Sequence, residues 1–266
     1  MKIGSLCTGY GGLDMAVEAF FGAETIWTCE FDKYASQLIE KRINKPNHGD
    51  LKKTDWTKVE PIDILTAGYP CQPFSHAGSR KGADDERHLW PYIKEIIGIL
   101  RPQFVVLENV RGHFGLGFGE VIGDLATIGY DATWRVVRAS DVGAPHRRER
   151  LFVLAYTNGA RCQRESGREL WNGFEQNCSQ DKYADSDIKQ RRVPSSNNMA
   201  DREIPSPLDQ GKLNAKFVEY MMGLPDGWVT DVGLSRSQQF KILGNGVVPQ
   251  QAEYALEMLW ETYVNQ

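Results

Sequence analysis

"KIGSLCTGYGGLDMAVEAFFG", residues 2–22, decides how this chain folds. It opens on a short apolar, β-rich run, breaks at the glycine-rich turn CTGYGG (7–12) and continues as the helical pattern LDMAVEAFFG. Glycines at such a turn let the backbone bend tightly and approach a ligand closely. Amides at the start of the following helix can receive a carboxylate or a phosphate. The full G-x-G-x-x-G spacing is absent, so the turn alone does not identify a nucleotide site.

The same alternation continues outward. Apolar runs TIWTCEF, DILTAGY, QFVVLEN, TWRVVRA and RLFVLAY are mostly separated by helical patterns, among them DKYASQLIEKRI and LWPYIKEIIGIL. In the latter, Leu89, Ile93, Ile96, Ile97 and Leu100 share one face. GEVIGDLATIG is a weaker fourth helix. Such alternation predicts an α/β fold, a mainly parallel sheet with helices on both faces. The last two runs are joined by a hairpin-length turn, which allows an antiparallel pair.

At 266 residues the chain suits one large domain, or one domain with a smaller lobe. Its net charge of −4 argues against indiscriminate coating of nucleic acid but leaves room for a local basic cleft. Five cysteines, an odd count with no C-x-x-C pair, make a disulfide framework unexpected. The five histidines form no ligand-spaced cluster with them, so no metal site is expected. No apolar run approaches the ~20 residues that span a bilayer, and MKIGSLCTGYGG lacks a signal-peptide pattern. A cytoplasmic protein without membrane contact is expected.

Four constellations carry chemistry. The second strand ends at CEFD, with Glu30 eighteen residues after Gly12, where an acid suits the two hydroxyls of a ribose. Phe31 could lie against a purine, and Asp50 could reach an exocyclic amine. Together with CTGYGG these point to a nucleoside-containing cofactor. Cys71 follows the next strand, between Pro70 and Gln72, on the carboxyl-end rim where ligands bind in open α/β sheets. Core filler and nucleophile both remain open for it. Glu108 and Asn109 leave the apolar run FVVL on the same rim, where a carboxyl against an apolar wall has its pKa raised and can donate a proton. In APHRRERLFVL, period-two alternation sends Arg148 and Arg150 to one face as an anion or base-edge clamp.

In this order the pieces resemble the cytosine-C5 DNA methyltransferase family, over roughly residues 1–155 and 214–260. CTGYGG is similar to its S-adenosylmethionine loop, PCQPFS to its catalytic loop, ENV to its base-binding glutamate motif, HRRER to its paired-arginine motif and GNGVVP to its late cofactor motif. The resemblance implies a Rossmann-like S-adenosylmethionine-dependent methyltransferase sheet with a small irregular target-recognition lobe. It makes Cys71 the nucleophile at C6 of a flipped-out cytosine in double-stranded DNA, with Glu108 on N3 and Arg150, supported by Arg148, on the base carbonyl. It assigns cofactor contacts to Cys7, Thr8, Gly9, Tyr10, Gly11, Gly12, Glu30, Phe31, Asp50, Leu51, Pro70, Leu89, Asn245 and Val247.

Cys7 stands where the family usually has an aromatic, and His146 where it usually has Gln. FVEYMMGLPDGW is similar to phage and prophage members. RNA as substrate, a catalytically silent nucleic-acid-binding relative and an unrelated dinucleotide oxidoreductase are the competing readings; PCQ favours DNA, and Cys71 with Glu108 favours catalysis. From about Tyr156 the texture turns polar. Residues 1–155, completed by 235–266, are expected as the catalytic and cofactor-binding domain, and 156–234 as a small target-recognition domain. DNA contacts are expected from Gln72, Ser75, Arg161, Arg164, Arg191 and Arg192, in a protein acting as a monomer.

Overall fold

The computed structural model describes residues 1–70, 89–157 and 203–266. Cys71, Gln72, Ser75, Arg161, Arg164, Arg191 and Arg192 lie outside the described residues.

Six strands form one sheet: β1 (Lys2–Leu6), β2 (Glu24–Cys29), β3 (Ile64–Gly68), β4 (Phe104–Val110), β5 (Tyr130–Arg138) and β6 (Glu149–Thr157). Their order is β2-β1-β3-β4-β6-β5. The first three pairings are parallel. β6 enters antiparallel between β4 and β5. Parallel neighbours need a helical crossover, and the sequence supplies one after each of the early strands. The short link from Arg138 to Glu149 holds no such crossover, so β6 returns antiparallel to β5. As a result the carboxyl ends of β4 and β5 and the amino end of β6 meet on one rim.

Helix α1 (Gly12–Phe21) and the last helix (Pro249–Val264) cover one face of the sheet, and α3 (Trp90–Leu100) with α4 (Phe118–Thr127) cover the other. On the first face Leu13, Val17 and Phe20 of α1 and Ala252, Leu256 and Leu259 meet Ile3, Ile64, Val106 and Leu154. On the second, Ile93, Ile96 and Ile97 meet Leu65, Val105 and Val153. The period of 3.6 in the helices and the near-continuous apolar strands are what a sheet buried on both sides requires. Side chains of this kind contribute about 1.5–3 kcal/mol each when fully buried.

A third cluster joins α2 (Lys33–Arg42) to α5 (Ala215–Met221) and α6 (Arg236–Asn245), with Ala35, Leu38, Met222, Leu224, Val229, Val232 and Ile242 at its centre. The final helix is α7. Gln37 and Lys41 donate to the Val232 carbonyl at 3.1 and 3.0 Å, and Trp228 Nε1 donates to the Tyr10 carbonyl at 2.9 Å. Glu219, buried in α5, accepts from the amides of Gly227, Val229 and Thr230 and from the Thr230 hydroxyl, which folds the DGWVT turn around one carboxylate. Residues 215–234 therefore pack against α2 and the turn after β1, although they fall inside the stretch expected as a small separate domain. The sequence hides this because the contacts are made by scattered apolar residues of a loop, without periodicity.

Candidate active site

Where β1 meets α1, the chain takes left-handed backbone at Cys7 (φ 52°), Gly9 (φ 58°) and Gly11 (φ 83°). Cys7 N–H donates to the Cys29 carbonyl at 2.8 Å, carrying the β1–β2 pairing one residue past the strand. The turn then exposes its amides toward the neighbouring strand end. Gly9 N–H donates to Glu30 Oε2 at 2.9 Å, and Asp32 N–H to Glu30 Oε1 at 2.8 Å. Asn47 brackets the backbone of Glu30 from the other side, accepting from its N–H at 2.9 Å and donating to its carbonyl at 3.2 Å. Burial raises the Glu30 pKa, while the amide bonds oppose the rise. Each carboxylate oxygen keeps acceptor capacity beyond its one amide. Next to it the ring of Phe31 is 76% exposed, an aromatic face with nothing laid on it among the described residues.

These groups border a cleft of about 870 Å³. Cys7, Gly9, Glu30, Phe31, Asp50, Leu51, Pro70, Leu89 and Asn245 line one end, and Glu108, Asn109, Val110 and Arg150 the other. A smaller chamber of about 20 Å³ shares Cys7, Gly9, Gly68 and Asn245 with it and continues to Ser5, Thr8, Gly12, Asp14, Thr66 and Val247.

At the second end the sheet register sets Gly68 opposite Glu108 and Val110 opposite Arg150. Glu108 Oε1 and Arg150 Nε form a buried ion pair at 2.9 Å. Burial pushes the Glu108 carboxyl up to about 7, with Arg150 and then Arg148 pulling against it. Asn109 is fixed by donating to the Tyr69 carbonyl at 3.1 Å and accepting from Val110 N–H at 2.8 Å. The result is a carboxyl that holds or gives up a proton near neutrality, with a guanidinium beside it.

Arg148 is committed elsewhere. Its Nη2 donates to the carbonyls of Gly244 and Gly246 at 2.8 and 2.7 Å, from a backbone at φ 28°. It fastens the GNGV loop to β6, so its support of Arg150 runs through the scaffold, while its charge acts on Glu108. Gln251 continues the tie, donating to the carbonyls of Val137 and Arg148 at 2.8 Å each.

Of the expected cofactor contacts, Cys7, Thr8, Gly9, Gly12, Glu30, Phe31, Asp50, Leu51, Pro70, Leu89, Asn245 and Val247 all line one chamber or the other. Gly11 lines neither, serving as the left-handed cap of α1. Tyr10 lines neither: its side chain is fully buried, donates to the Val247 carbonyl at 2.7 Å and fills the space beside Gly246. The left-handed backbone at Gly9 and Gly11 on either side of it carries this aromatic into the third apolar cluster.

Sequence reasoning missed Asp14. It is buried in the first turn of α1, where it accepts from Ser5 Oγ at 2.9 Å and from Thr66 Oγ1. Burial pushes it up to about 6. The signal was an acid sitting on the apolar stripe of α1 beside Leu13 and Val17. Asn47 carried no such signal, because its part is local to the turn after α2.

A family model described as C-5 cytosine-specific DNA methylase matches residues 1–205. The chain is 33% identical over 156 residues to the Type II methyltransferase M.BsuFI of Bacillus subtilis, covering 57% of this chain and 38% of that protein. It is 37% identical over 169 residues to the Type II methyltransferase M.NlaX of Neisseria lactamica, covering 59% and 52%. The match thus spans about half the length of these relatives or less. Among solved structures, the S. pombe Dnmt2 methyltransferase superposes with a TM-score of 0.69 over 99% of both chains at 14% identity, a likeness of fold. Strand order, the glycine turn with its acidic partner, the rim carboxyl and the family match agree: the chain belongs to the C-5 cytosine-specific DNA methylase family.

Proposed function

We propose that this protein is a DNA (cytosine-5-)-methyltransferase that uses S-adenosylmethionine and acts, as a monomer, on a cytosine turned out of duplex DNA in the cytoplasm of a prokaryotic or phage-infected cell. The observation that carries the reading is the buried Glu108–Arg150 pair, standing across one cleft from Glu30 and Phe31 in a chain of this family. No helix among the described residues is long and apolar enough to cross a membrane.

The residues present fit the cofactor. Glu30 offers carboxylate lone pairs to the ribose hydroxyls, the exposed face of Phe31 suits the adenine, and Asp50 at the same wall suits its amine. The polar methionine end suits the mouth that the cleft shares with the small chamber, at Gly9 and Asn245, since the chamber itself, at about 20 Å³, is too small for it. When bound, S-adenosylmethionine supplies an electrophilic methyl group.

The rest falls to the chain. C5 of cytosine is a poor nucleophile, so Cys71, as thiolate, adds to C6 and forms a carbon–sulfur bond. Glu108 delivers its proton to N3, so the ring electrons collect at C5 without a full negative charge developing. Arg150 holds the base carbonyl oxygen and keeps Glu108 in place. Once C5 carries the methyl group, loss of the C5 proton to water expels the Cys71 sulfur as thiolate, restores the ring double bond, and returns the N3 proton to Glu108. Reaching both faces of the ring requires the base to leave the stack.

The test is methyl transfer from labelled S-adenosylmethionine to duplex DNA and, in parallel, to tRNA. Duplex DNA is expected to be labelled at C5 of cytosine, and 5-fluorocytosine DNA to trap a covalent adduct that Cys71→Ser does not form. Labelling of tRNA alone would transfer the reading to an RNA substrate. A Cys71→Ser variant that methylates at a wild-type rate would remove Cys71 from the mechanism.

A further inference from the structure

Glu149 lies between the two arginines of the site, but its side chain leaves β6 on the other side. Three arginines from three segments converge on it. Arg111 Nη1, from the turn after β4, is 2.9 Å from Oε2; Arg138 Nε, at the end of β5, is 3.0 Å from Oε1; Arg147 Nη2, just before β6, is 3.1 Å from Oε1. The acceptor is 17% exposed, while the three donors are 64, 49 and 69% exposed. The hydrogen bond from Arg138, with burial opposing and Arg111 and Arg147 assisting, holds the Glu149 carboxyl below its ordinary range. It therefore stays ionised and keeps the guanidiniums in a fixed fan.

Arg111, Arg138 and Glu149 line an open trough of about 850 Å³, and Arg147 joins them through its ion pair with Glu149. Phe114 forms part of its wall, 52% exposed and stacked on Phe118 with ring centroids 5.5 Å apart. Asp141, also in the wall, accepts from the Arg138 backbone amide at 2.9 Å. Glu149 and Asp141 balance the two arginines of the lining, and Arg147, held on Glu149 and 69% exposed, leaves the cluster with one positive charge in excess. Its residues neighbour those of the active cleft along the chain: Val110 and Arg150 line the cleft, and Arg111 and Glu149 the trough.

We propose that the Arg111–Arg138–Arg147 fan binds backbone phosphates of the nucleic-acid strand flanking the nucleotide held at Glu108 and Arg150, with Glu149 keeping the arginines spread. The proposal rests on the nucleic-acid reading above and deepens it, placing strand-positioning contacts on the catalytic body. A guanidinium presents five N–H donors in a plane, and here one nitrogen of each is engaged with Glu149. Exposed, pre-spread arginines with donors to spare match phosphate oxygens, and Phe114 offers an apolar face to the sugar between them. Such contacts fix register without reading sequence.

The experiment measures anisotropy of a fluorescent mixed-sequence duplex with wild-type protein, Arg147→Gln, and the triple variant Arg111→Gln/Arg138→Gln/Arg147→Gln, across about 50–200 mM salt. Each arginine removed is expected to lower the slope of log affinity against log salt by about one, on any sequence. Calorimetry with S-adenosylmethionine in the same variants, expected to be unchanged, reports an intact fold and cofactor cleft. Glu149→Gln, which removes the competing charge, is expected to bind duplex more tightly than wild type. A triple variant with wild-type cofactor affinity and a wild-type salt slope would overturn the proposal and leave the methyltransferase reading standing. Wild-type protein that binds no duplex would overturn both.

Discussion

At Glu108 burial and two guanidiniums pull in opposite directions, and burial prevails, leaving a carboxyl that titrates near 7. In the proposed mechanism the acid form is the one that serves N3. Since the pKa is raised, that form persists up to about 7 and is lost above it. On the alkaline side kcat/KM for DNA is therefore expected to fall as pH rises through about 7, and Glu108→Gln to abolish that limb while cutting the rate by about 10²–10⁴. A pH–rate profile of both proteins checks this; an unchanged limb in the variant would assign it to another group. Asp14 gives a stability counterpart. Its folded pKa of about 6 exceeds the ordinary value of 3.8, so the folded state holds a proton that the unfolded chain releases. Its stabilising contribution is full below about pH 4 and is lost as pH rises to about 6, on the order of 3 kcal/mol in total. Urea melts between pH 4 and 7 should show Asp14→Asn with a shallower decline than wild type. The two carboxyls differed in legibility. Glu108 follows an unbroken apolar run, so its place at a strand end could be read; Asp14 sits inside a helical pattern, where only its misfit with the apolar stripe betrays it.

Among the elements, the glycine turn and the GNGV loop act as one piece although they are separated by most of the chain. Tyr10 is the clamp: it bonds the Val247 carbonyl, and a Cβ on Gly246 would fall 1.7 Å from its ring. Gly246 has an ordinary negative φ of −81°, so the demand is for space. The ring cannot yield, being fully enclosed. Gly246→Ala is expected to cost about 1–3 kcal/mol by overpacking and to weaken S-adenosylmethionine binding as the loop is displaced. Tyr10→Phe, which leaves the ring and removes one hydrogen bond, should cost about 1 kcal/mol. Chemical denaturation with calorimetry separates the two; equal stability for Gly246→Ala and wild type would contradict the clamp. Both motifs could be recognised in the sequence, but their joint packing could not, because Tyr10 reads equally well as a residue facing the ligand. The same holds for β6. The short turn after β5 announces an antiparallel pair, while its insertion beside β4 depends on tertiary packing that no local pattern encodes.

Over the whole molecule, chemistry and sequence reading divide the chain unequally. The cleft, the ion pair and the arginine fan are built from the strand rim and the loops beside it, and residues 215–234 pack against α2. We propose that the stretch from about Thr157 to Gly211 reads the target sequence. Its composition suits base edges: Gln163, Asn172, Gln176, Asn177 and Gln190 stand among Arg161, Arg164, Arg168, Arg191 and Arg192. In the major groove Arg pairs with guanine and Asn or Gln with adenine, at about 1–3 kcal/mol of discrimination per bidentate contact. Arginines that only hold phosphate discriminate nothing. Alanine substitutions across this stretch should therefore fall into two groups. One relaxes the methylated motif at a single position with little change in salt dependence; the other leaves the motif intact and lowers affinity evenly, with a shallower salt slope. Bisulfite sequencing of DNA from cells expressing each variant, with binding measured in parallel, sorts them. If every variant keeps the wild-type motif while substitutions outside the stretch change it, recognition belongs to the rim of the catalytic body and the polar stretch only connects β6 to α5.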